Sequence, residues 1–280
     1  MGAGDHVLVT GASQGIGRAI ARHLSLRGYR IIGTSRRPAD IEKPLPHVRY
    51  MPLDLNDPDS IKNCIAGIRD IDILINNAGR SHIAPAETYP LQRVNALFQT
   101  NLFGPIQLIQ GFLPGMRQRR YGFIINIGSL VGRFSLPFQA SYAASKSALT
   151  VYSQALRSEM RPFGIRVTVL EPGDVRTTIK PDSAENIGTA YTSRLDRFSA
   201  ARLARMKKAR HPDGVARKIV HILRQRHPAP GYAMDAGGAL LLLAQRLLPA
   251  RVVEALVCRT YGLDGVEKKG SRKQSGKVLK

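Results

Sequence analysis

Tyr142 and Lys146 place a phenol and an ammonium group four residues apart in the sequence. On a helix, this spacing puts both side chains on one face. A free phenol, with a pKa of about 10, transfers protons poorly at neutral pH, and a neighbouring cation favours the phenolate. The pair therefore predicts a group that gives a proton to a carbonyl oxygen as hydride arrives, or takes one in the oxidative direction.

Ser129 lies 13 residues before Tyr142, at the end of an apolar run. A hydroxyl there can donate a hydrogen bond to the substrate oxygen and stabilise the charge that develops on it. The Tyr-x-x-x-Lys spacing alone is common, so the prediction of catalysis depends on such additional groups.

A glycine-rich segment from Thr10 to Gly17 follows the first predicted strand and opens the first predicted helix. Its glycines permit a tight turn and close approach of the backbone to a pyrophosphate, which then meets the positive end of the helix. In this position of a βαβ unit, such a turn is strong evidence for a dinucleotide site. The predicted contacts within it are Gly11, Ser13, Gln14, Gly15, Ile16 and Gly17.

The end of the second predicted strand carries Ser35, Arg36 and Arg37. NAD-binding folds commonly place an acid there to hold the ribose hydroxyls. An acid would repel a 2′-phosphate, whereas a guanidinium can pair with it through two hydrogen bonds. We therefore expect NADP(H) as the cofactor, with the preference resting on Arg36 and also on Arg37.

Apolar strands alternate with amphipathic helices along the first two thirds of the chain. The predicted strands are His6–Thr10, Tyr29–Ser35, His47–Leu53, Asp72–Asn76, Tyr121–Gly128 and Ile165–Glu171. The predicted helices are Ile16–Leu26, Asp59–Ile68, Leu91–Asn101, Leu102–Arg117, Gln139–Arg161, Asp213–Arg226, Ala236–Leu248 and Arg251–Tyr261. We therefore expect an α/β fold, a single Rossmann-type doubly wound parallel sheet with helices on both faces and a C-terminal helical extension.

These motifs together resemble the short-chain dehydrogenase/reductase family. The glycine turn has the family's Thr-Gly-x-x-x-Gly-x-Gly spacing, and its four catalytic positions match, in chain order, Asn101, Ser129, Tyr142 and Lys146. The resemblance implies that Asn101 holds a water that links Lys146 to solvent. It also implies that Ser35 stands in the acid's place and that Arg36 binds the 2′-phosphate.

The resemblance implies further cofactor contacts beyond the glycine turn. Asp54 and Leu55 match the position that contacts adenine, and Tyr142 and Lys146 serve the cofactor as well as catalysis. The remaining implied contacts are Asn77, Ala78, Gly79, Pro172, Gly173, Val175 and Thr177.

Three stretches, residues 128–132, 136–138 and 161–164, look most like a branch that contains estradiol 17-beta-dehydrogenase, retinol dehydrogenases and acyl-dihydroxyacetone-phosphate reductases. We therefore expect a carbonyl reductase or alcohol dehydrogenase for an apolar, lipid- or steroid-like ketone, aldehyde or alcohol. A non-catalytic NADP(H) sensor or scaffold is the alternative. The resemblance also implies a homo-oligomer, a dimer or tetramer, formed through the helices around Leu102–Arg117 and Gln139–Arg161.

The formal net charge is +22, and residues 176–280 carry 22 Lys and Arg against 8 Asp and Glu. We divide the chain into a catalytic domain (1–235), a helical lid of the same domain (236–266) and a disordered basic tail (267–280). The basic, amphipathic C terminus predicts peripheral association with an anionic membrane, although a solvated basic face accounts for the charge equally well. Because no nucleic-acid reading element accompanies the charge, we expect no specific nucleic-acid partner.

The chain has only two cysteines, far apart, so we expect neither a disulfide framework nor a metal site. This composition favours a reducing compartment, the cytoplasm. The first ten residues predict a strand, so we expect no signal peptide. No apolar run approaches the roughly 20 residues that a membrane span requires.

Overall fold

The computed structural model describes residues 1–176, 181–183, 189–234 and 236–264. The predicted cofactor contact of Thr177 and the predicted tail 267–280 lie outside the described residues.

A seven-stranded parallel sheet forms the centre of the molecule. A small separate pair is formed by the fifth and eighth strands of the chain. The strands of both sheets, in chain order, are β1 (His6–Val9), β2 (Arg30–Ser35), β3 (Val48–Pro52), β4 (Ile73–Asn76), β5 (His82–Ile83), β6 (Gly122–Ile127), β7 (Ile165–Glu171), β8 (Asp182–Ser183) and β9 (Gly231–Ala233). The spatial order is β3-β2-β1-β4-β6-β7-β9, and every neighbouring pair is parallel. Strand order reverses between β1 and β4, where sheets of this kind open a ligand crevice.

Helices cover both faces of this sheet. They are α1 (Gly15–Ser25), α2 (Pro58–Ala66), α3 (Leu91–Phe98), α4 (Gly104–Arg119), α5 (Ala140–Met160), α6 (Thr189–Lys207), α7 (Pro212–Arg224), α8 (Ala236–Leu247) and α9 (Ala250–Thr260). In the part of the chain that the structure describes, no helix is both long and apolar enough to cross a membrane.

The alternation of side chains along each strand produces two hydrophobic cores. Val7 and Val9 of β1 pack with residues of α1 and α7 on one face. Leu8, between them, packs on the other face with residues of α2, α4 and α5. Because successive strand residues point to opposite faces, a strand covered on both sides is apolar throughout. The expected doubly wound α/β fold is confirmed.

All six predicted strands are present, with boundaries shifted by at most two residues. The sequence-based prediction missed β9, which adds the seventh strand beside β7, and the small parallel pair β5–β8. These strands are two or three residues long, too short to show a periodic pattern. The predicted helix Leu91–Asn101 was wrong at its end, because α3 stops at Phe98 and a π-helical turn, Gln99–Phe103, joins it to α4.

Candidate active site

A cleft of about 1300 Å³ runs along the carboxyl ends of the parallel strands. Its walls come from the loops after β1, β2, β3, β4, β6 and β7 and from α6 and α9. The predicted site residues that line it are Gly11, Ser13, Gln14, Ile16, Ser35, Arg36, Asp54, Leu55, Asn77, Ala78, Gly79, Ser129, Tyr142, Lys146, Pro172, Gly173 and Val175. The fold thus brings together residues that lie up to 164 positions apart in the sequence, from Gly11 to Val175.

Three positions of the turn between β1 and α1 require glycine, because of their φ angle or because of close packing. Gly11 and Gly15 adopt positive φ angles of 67° and 55°, which favour glycine. A Cβ atom at Gly17 would overlap the Gly11 carbonyl oxygen and lie 2.5 Å from Asn77 Nδ2. Gly15 and Gly17 therefore shape the turn from behind the wall of the cleft.

Hydrogen bonds from the loop after β4 hold this turn in place. The amides of Asn77 and Ala78 donate to Thr10 Oγ1 at 2.9 and 3.0 Å. Asn77 Nδ2 donates to the Thr10 carbonyl oxygen at 2.8 Å. The N-terminal turn of α1, which contains no acidic residue, faces the cleft with its amide groups and the positive end of its dipole.

The two arginines after β2 differ in position. Arg36 is exposed and lines the cleft, next to Ser35. Arg37 does not line the cleft, and its guanidinium lies 3.8 Å from the carboxylate of Asp40. Arg36 is therefore the one of the pair that can reach a ligand in the cleft.

Asp54 and Leu55 follow β3 and line the same cleft as the glycine turn. The Asp54 carboxylate accepts a hydrogen bond from the Asn56 amide at 2.9 Å, and the Asp54 amide donates to Ser60 Oγ at 2.9 Å. These bonds fix the direction of the Asp54 side chain at the rim.

Ser129, Tyr142 and Lys146 converge where β6 and α5 meet the cleft. The Tyr142 phenol is hydrogen-bonded to Ser129, whose Oγ also accepts from the Val131 amide at 3.2 Å. Lys146 Nζ donates to the Ile127 carbonyl oxygen at 2.8 Å, and burial lowers the pKa of Lys146 to about 8. Two hydroxyl groups and a basic group thus face the same cleft.

The expected lowering of the Tyr142 pKa is not seen. Burial raises the pKa of Tyr142, because it penalises the phenolate. The hydrogen bond with Ser129 and the positive charge of Arg202 act in the opposite direction but do not prevail. Since the Lys146 ammonium is directed at a carbonyl oxygen, the cation that acts on the phenol here is Arg202, which the sequence did not indicate.

Asn101 lies in the π-helical turn, buried behind the cleft wall. Its Nδ2 donates to the Arg80 carbonyl oxygen and to Ser145 Oγ, both at 3.0 Å, while its Oδ1 accepts from the Arg80 amide at 2.8 Å. A Cβ atom at Gly79 would lie 3.2 Å from Asn101 Oδ1 and 3.5 Å from Lys146 Nζ. Asn101 and Lys146 therefore approach each other across Gly79.

Buried amide side chains tie α5 to the sheet beneath the cleft. Asn76 Nδ2 on β4 donates to Asn126 Oδ1 on β6 at 2.9 Å. Asn126 Nδ2 donates in turn to Ser153 Oγ on α5 at 2.8 Å. Because buried polar groups that are hydrogen-bonded fix geometry, this chain positions the helix that carries Tyr142 and Lys146.

A family model described as short chain dehydrogenase matches residues 5–188. The chain belongs to the short-chain dehydrogenase family. It is 30% identical over 258 residues to the probable short-chain type dehydrogenase/reductase VdlC of Helicobacter pylori. These residues cover 89% of this chain and 95% of that protein. Over 175 residues it is 38% identical to 3-ketodihydrosphingosine reductase of Bacteroides thetaiotaomicron, covering 61% of this chain and 64%, under two thirds, of that reductase.

A solved structure extends this likeness over the whole dehydrogenase fold. The short chain dehydrogenase of Burkholderia cenocepacia, crystallised in complex with NADP, superposes with a TM-score of 0.73 at 25% sequence identity. The likeness covers 93% of this chain and 99% of that one. This chain therefore shares one fold, over most of its length, with a short chain dehydrogenase crystallised with NADP.

Several charged residues that line this dehydrogenase's cleft follow β7 or lie on α6. The sequence did not indicate that they belong to the site. Asp174, Arg202 and Arg205 line the cleft on the side of Tyr142. Behind them, the buried Glu171 accepts from Arg133 Nε at 2.6 Å and from Thr150 Oγ1 at 3.2 Å. The dense charge on α6 was apparent, but nothing local to the sequence shows which of its arginines face inward.

The structure places no group of three His, Cys, Asp or Glu side chains suited to a metal ion among the residues it describes.

Proposed function

We propose that this protein is an NADPH-dependent carbonyl reductase or alcohol dehydrogenase in which Tyr142 is the proton donor. The observation that carries the proposal is the convergence of Tyr142, Ser129 and Lys146 in the same cleft as the glycine turn. A non-catalytic sensor would need the turn but not a hydrogen-bonded serine–tyrosine pair beside it.

The residues present fit a dinucleotide. The turn excludes a Cβ at Gly17 and lines the cleft at the N-terminal end of α1, the environment that a pyrophosphate requires. Arg36 lines the cleft at the end of β2, where a 2′-phosphate would lie. Asp54 and Leu55, in the same cleft as the turn, would contact the adenine, and Asn77 to Gly79 together with Pro172 to Val175 would flank the nicotinamide. When bound, the dinucleotide supplies or removes a hydride.

The polar residues of the cleft can handle the oxygen and the proton of the substrate. Ser129 Oγ donates a hydrogen bond to the carbonyl oxygen and so orients it toward Tyr142. The raised pKa of Tyr142 keeps its phenol protonated at neutral pH, so that it has a proton to give. Arg202, whose charge already acts on the phenol, stabilises the phenolate that remains. Once a dinucleotide is bound, Lys146, one turn along the same helix, would add its charge to this support, and Asn101 holds the backbone at Arg80 beside it.

The substrate we infer has a substantial apolar part. Beyond Tyr142 the cleft is lined by Leu203 of α6, by Leu248 and by Val253, Leu256 and Val257 of α9. Such a wall gains free energy by removing a hydrocarbon chain from water, about 25 cal/mol per Å². The likeness to the 3-ketodihydrosphingosine reductase of Bacteroides thetaiotaomicron also supports a lipid-like ketone.

The proposal is tested by measuring the oxidation of NADPH and of NADH at about 25 °C with a panel of medium-chain ketones and aldehydes. We expect turnover with NADPH on at least one apolar ketone. Tight NADPH binding without turnover on any member would favour the sensor instead, and an NADH preference would contradict the role given to Arg36.

We also propose that the C-terminal helices bring the enzyme to an anionic membrane. Leu240, Leu243 and Leu247 of α8 are exposed, as are Val252 and Leu256 of α9. Exposed arginines of α9 and the basic sequence 267–280 complement anionic lipid. Sedimentation with phosphatidylserine vesicles, and its loss in Leu243→Glu, is the expected result. Equal sedimentation with phosphatidylcholine vesicles would contradict the proposal.

A homo-oligomer formed through α4 and α5 is a further part of the proposal. Exposed Phe103 and Val151 on this side of the molecule support it. Light scattering should give a dimer or tetramer that Val151→Glu dissociates, whereas a monomeric wild-type protein would contradict it.

A further inference from the structure

The segment after β7 and the end of α6 place one carboxylate between two guanidinium groups. Asp174 Oδ2 accepts a hydrogen bond from Arg205 Nε at 3.1 Å, and Asp174 Oδ1 lies 3.9 Å from Arg202 Nη1. Within the described parts of the chain, Asp174 is the only carboxylate at ion-pair distance from either arginine. The cluster therefore carries one positive charge that Asp174 does not balance.

This cluster lies in the cleft and not on the outer surface of α6. Asp174, Arg202 and Arg205 line the cleft together with Tyr142 and Tyr261. The Arg202 side chain is only 20% exposed, and its charge acts on the Tyr142 phenol. The unbalanced charge is therefore within reach of a molecule whose carbonyl lies at Tyr142.

Internal ion pairing does not account for the position of Arg202. Withdrawing a guanidinium from water is costly unless a close, well-oriented counter-ion offsets the loss of hydration. The 3.9 Å separation from Asp174 exceeds the roughly 2.7–2.9 Å of a charge-assisted hydrogen bond. The shorter bond of Asp174 goes to Arg205, which is the more exposed of the two. Arg202 thus keeps donors that Asp174 does not take up.

We propose that Arg202 and Arg205 form a subsite for an anionic group of the substrate, a carboxylate or a phosphate, whose apolar chain lies along α9. Guanidinium groups pair with both anions through parallel hydrogen bonds. The proposal rests on the proposed function, because the subsite opens on Tyr142. It narrows the substrate from an apolar ketone to an amphipathic one with a negative charge near the reacting carbonyl.

Calorimetric binding of decanoate, decyl phosphate and decanol to the NADP⁺-saturated protein tests the subsite without turnover. We expect at least one of the two anions to bind about tenfold more tightly than decanol, and the comparison of the two identifies the anion. Arg202→Gln should abolish this preference. Arg197→Gln, which removes the same charge from an exposed position of α6, should leave it intact. A preference that survives in Arg202→Gln would overturn the proposal.

Asp174→Asn should have the opposite effect. Removal of the competing carboxylate leaves both guanidinium groups for the ligand, so anion binding should tighten by about threefold. A damaged fold cannot produce tighter binding, so this variant separates the subsite from a loss of structure. Weaker anion binding in Asp174→Asn would count against the proposal.

NADPH oxidation with 3-oxodecanoate and its methyl ester separates this proposal from the proposed function. We expect kcat/KM of the wild type to be about tenfold higher for the acid and Arg202→Gln to remove the difference. Equal turnover of acid and ester by the wild type would refute the subsite and leave the reductase. Anion-selective binding without turnover of either ketone would refute the reductase and leave the subsite.

Discussion

The two ends of the cleft are built differently. At the end proposed for the cofactor, the wall is backbone and short side chains, with Gly17 packed against Gly11 and Thr10 bonded to the loop after β4. At the end proposed for the substrate, the wall consists of long side chains such as Arg202 and Leu256, carried by α6 and α9, which follow β7 in sequence. A backbone wall changes only if the fold changes, whereas a wall of side chains can be altered residue by residue. The cofactor end is therefore inseparable from the fold, and the substrate end is where specificity can vary.

Tyr142 stands at the boundary, and its removal should separate the two ends most sharply. Tyr142→Phe deletes one oxygen, so kcat should fall by about a thousandfold. NADPH affinity, which depends on the backbone wall, should stay within about twofold of the wild type. Steady-state kinetics and fluorescence titration of NADPH measure the two effects. Tyr152→Phe on the same helix is the control, and loss of NADPH binding in Tyr142→Phe would mean that the ends are not separable.

Gly17→Ala should damage the cofactor end and stability together. The added Cβ would overlap the Gly11 carbonyl oxygen, and displacement of the turn should weaken NADPH binding by about a hundredfold. Overpacking of this kind also destabilises the fold by about 1–3 kcal/mol. The control is Gly115→Ala in α4, where a Cβ would meet only the ends of two side chains, Arg119 Nη1 at 3.2 Å and Asp70 Oδ1 at 3.5 Å. Thermal unfolding and NADPH titration of both variants measure the two effects. A Gly17→Ala variant with wild-type stability and NADPH affinity would contradict the difference between the two ends of the cleft.

Arg36→Gln tests whether a side chain contributes to the cofactor end at all. We expect the NADPH-to-NADH ratio of kcat/KM to fall by about ten- to a hundredfold, since the 2′-phosphate loses its charged partner. Arg37→Gln removes the same charge from the adjacent residue, but Arg37 pairs with Asp40 and does not line the cleft. Its effect should stay below about threefold. Equal effects of the two substitutions would show that general positive charge, not contact, sets the preference.

The pH dependence of reduction should report on Lys146. Burial lowers its pKa to about 8, so the ammonium is present below that pH and lost above it. Because burial raises the pKa of Tyr142, the phenol itself stays protonated over this range. Reductive kcat should therefore fall by about tenfold per pH unit above pH ~8. Lys146→Arg keeps its charge throughout, so whatever activity remains should show no such bend. A bend at the same pH in that variant would assign it to another group.

The same contrast explains what the sequence could reveal. The strands, the glycine turn and the Tyr142–Lys146 pair were predictable because each is a local pattern of fixed period or spacing. The cluster of Asp174 and Arg202 was not, because only the path of α6 across the cleft brings them together. The raised pKa of Tyr142 was equally hidden, since burial depends on every element around the phenol.

The π-helical turn that carries Asn101 has a consequence for any attempt to improve this protein. A π turn contains one residue more than regular helix would, and such turns are rare. Deleting a residue from Gln99–Phe103 would shorten the connection between α3 and α4 and rotate everything on one side of it by about 100°. Asn101 would then leave the Arg80 backbone and Ser145. At this point of the chain, regular helical geometry and catalytic turnover therefore require different sequences.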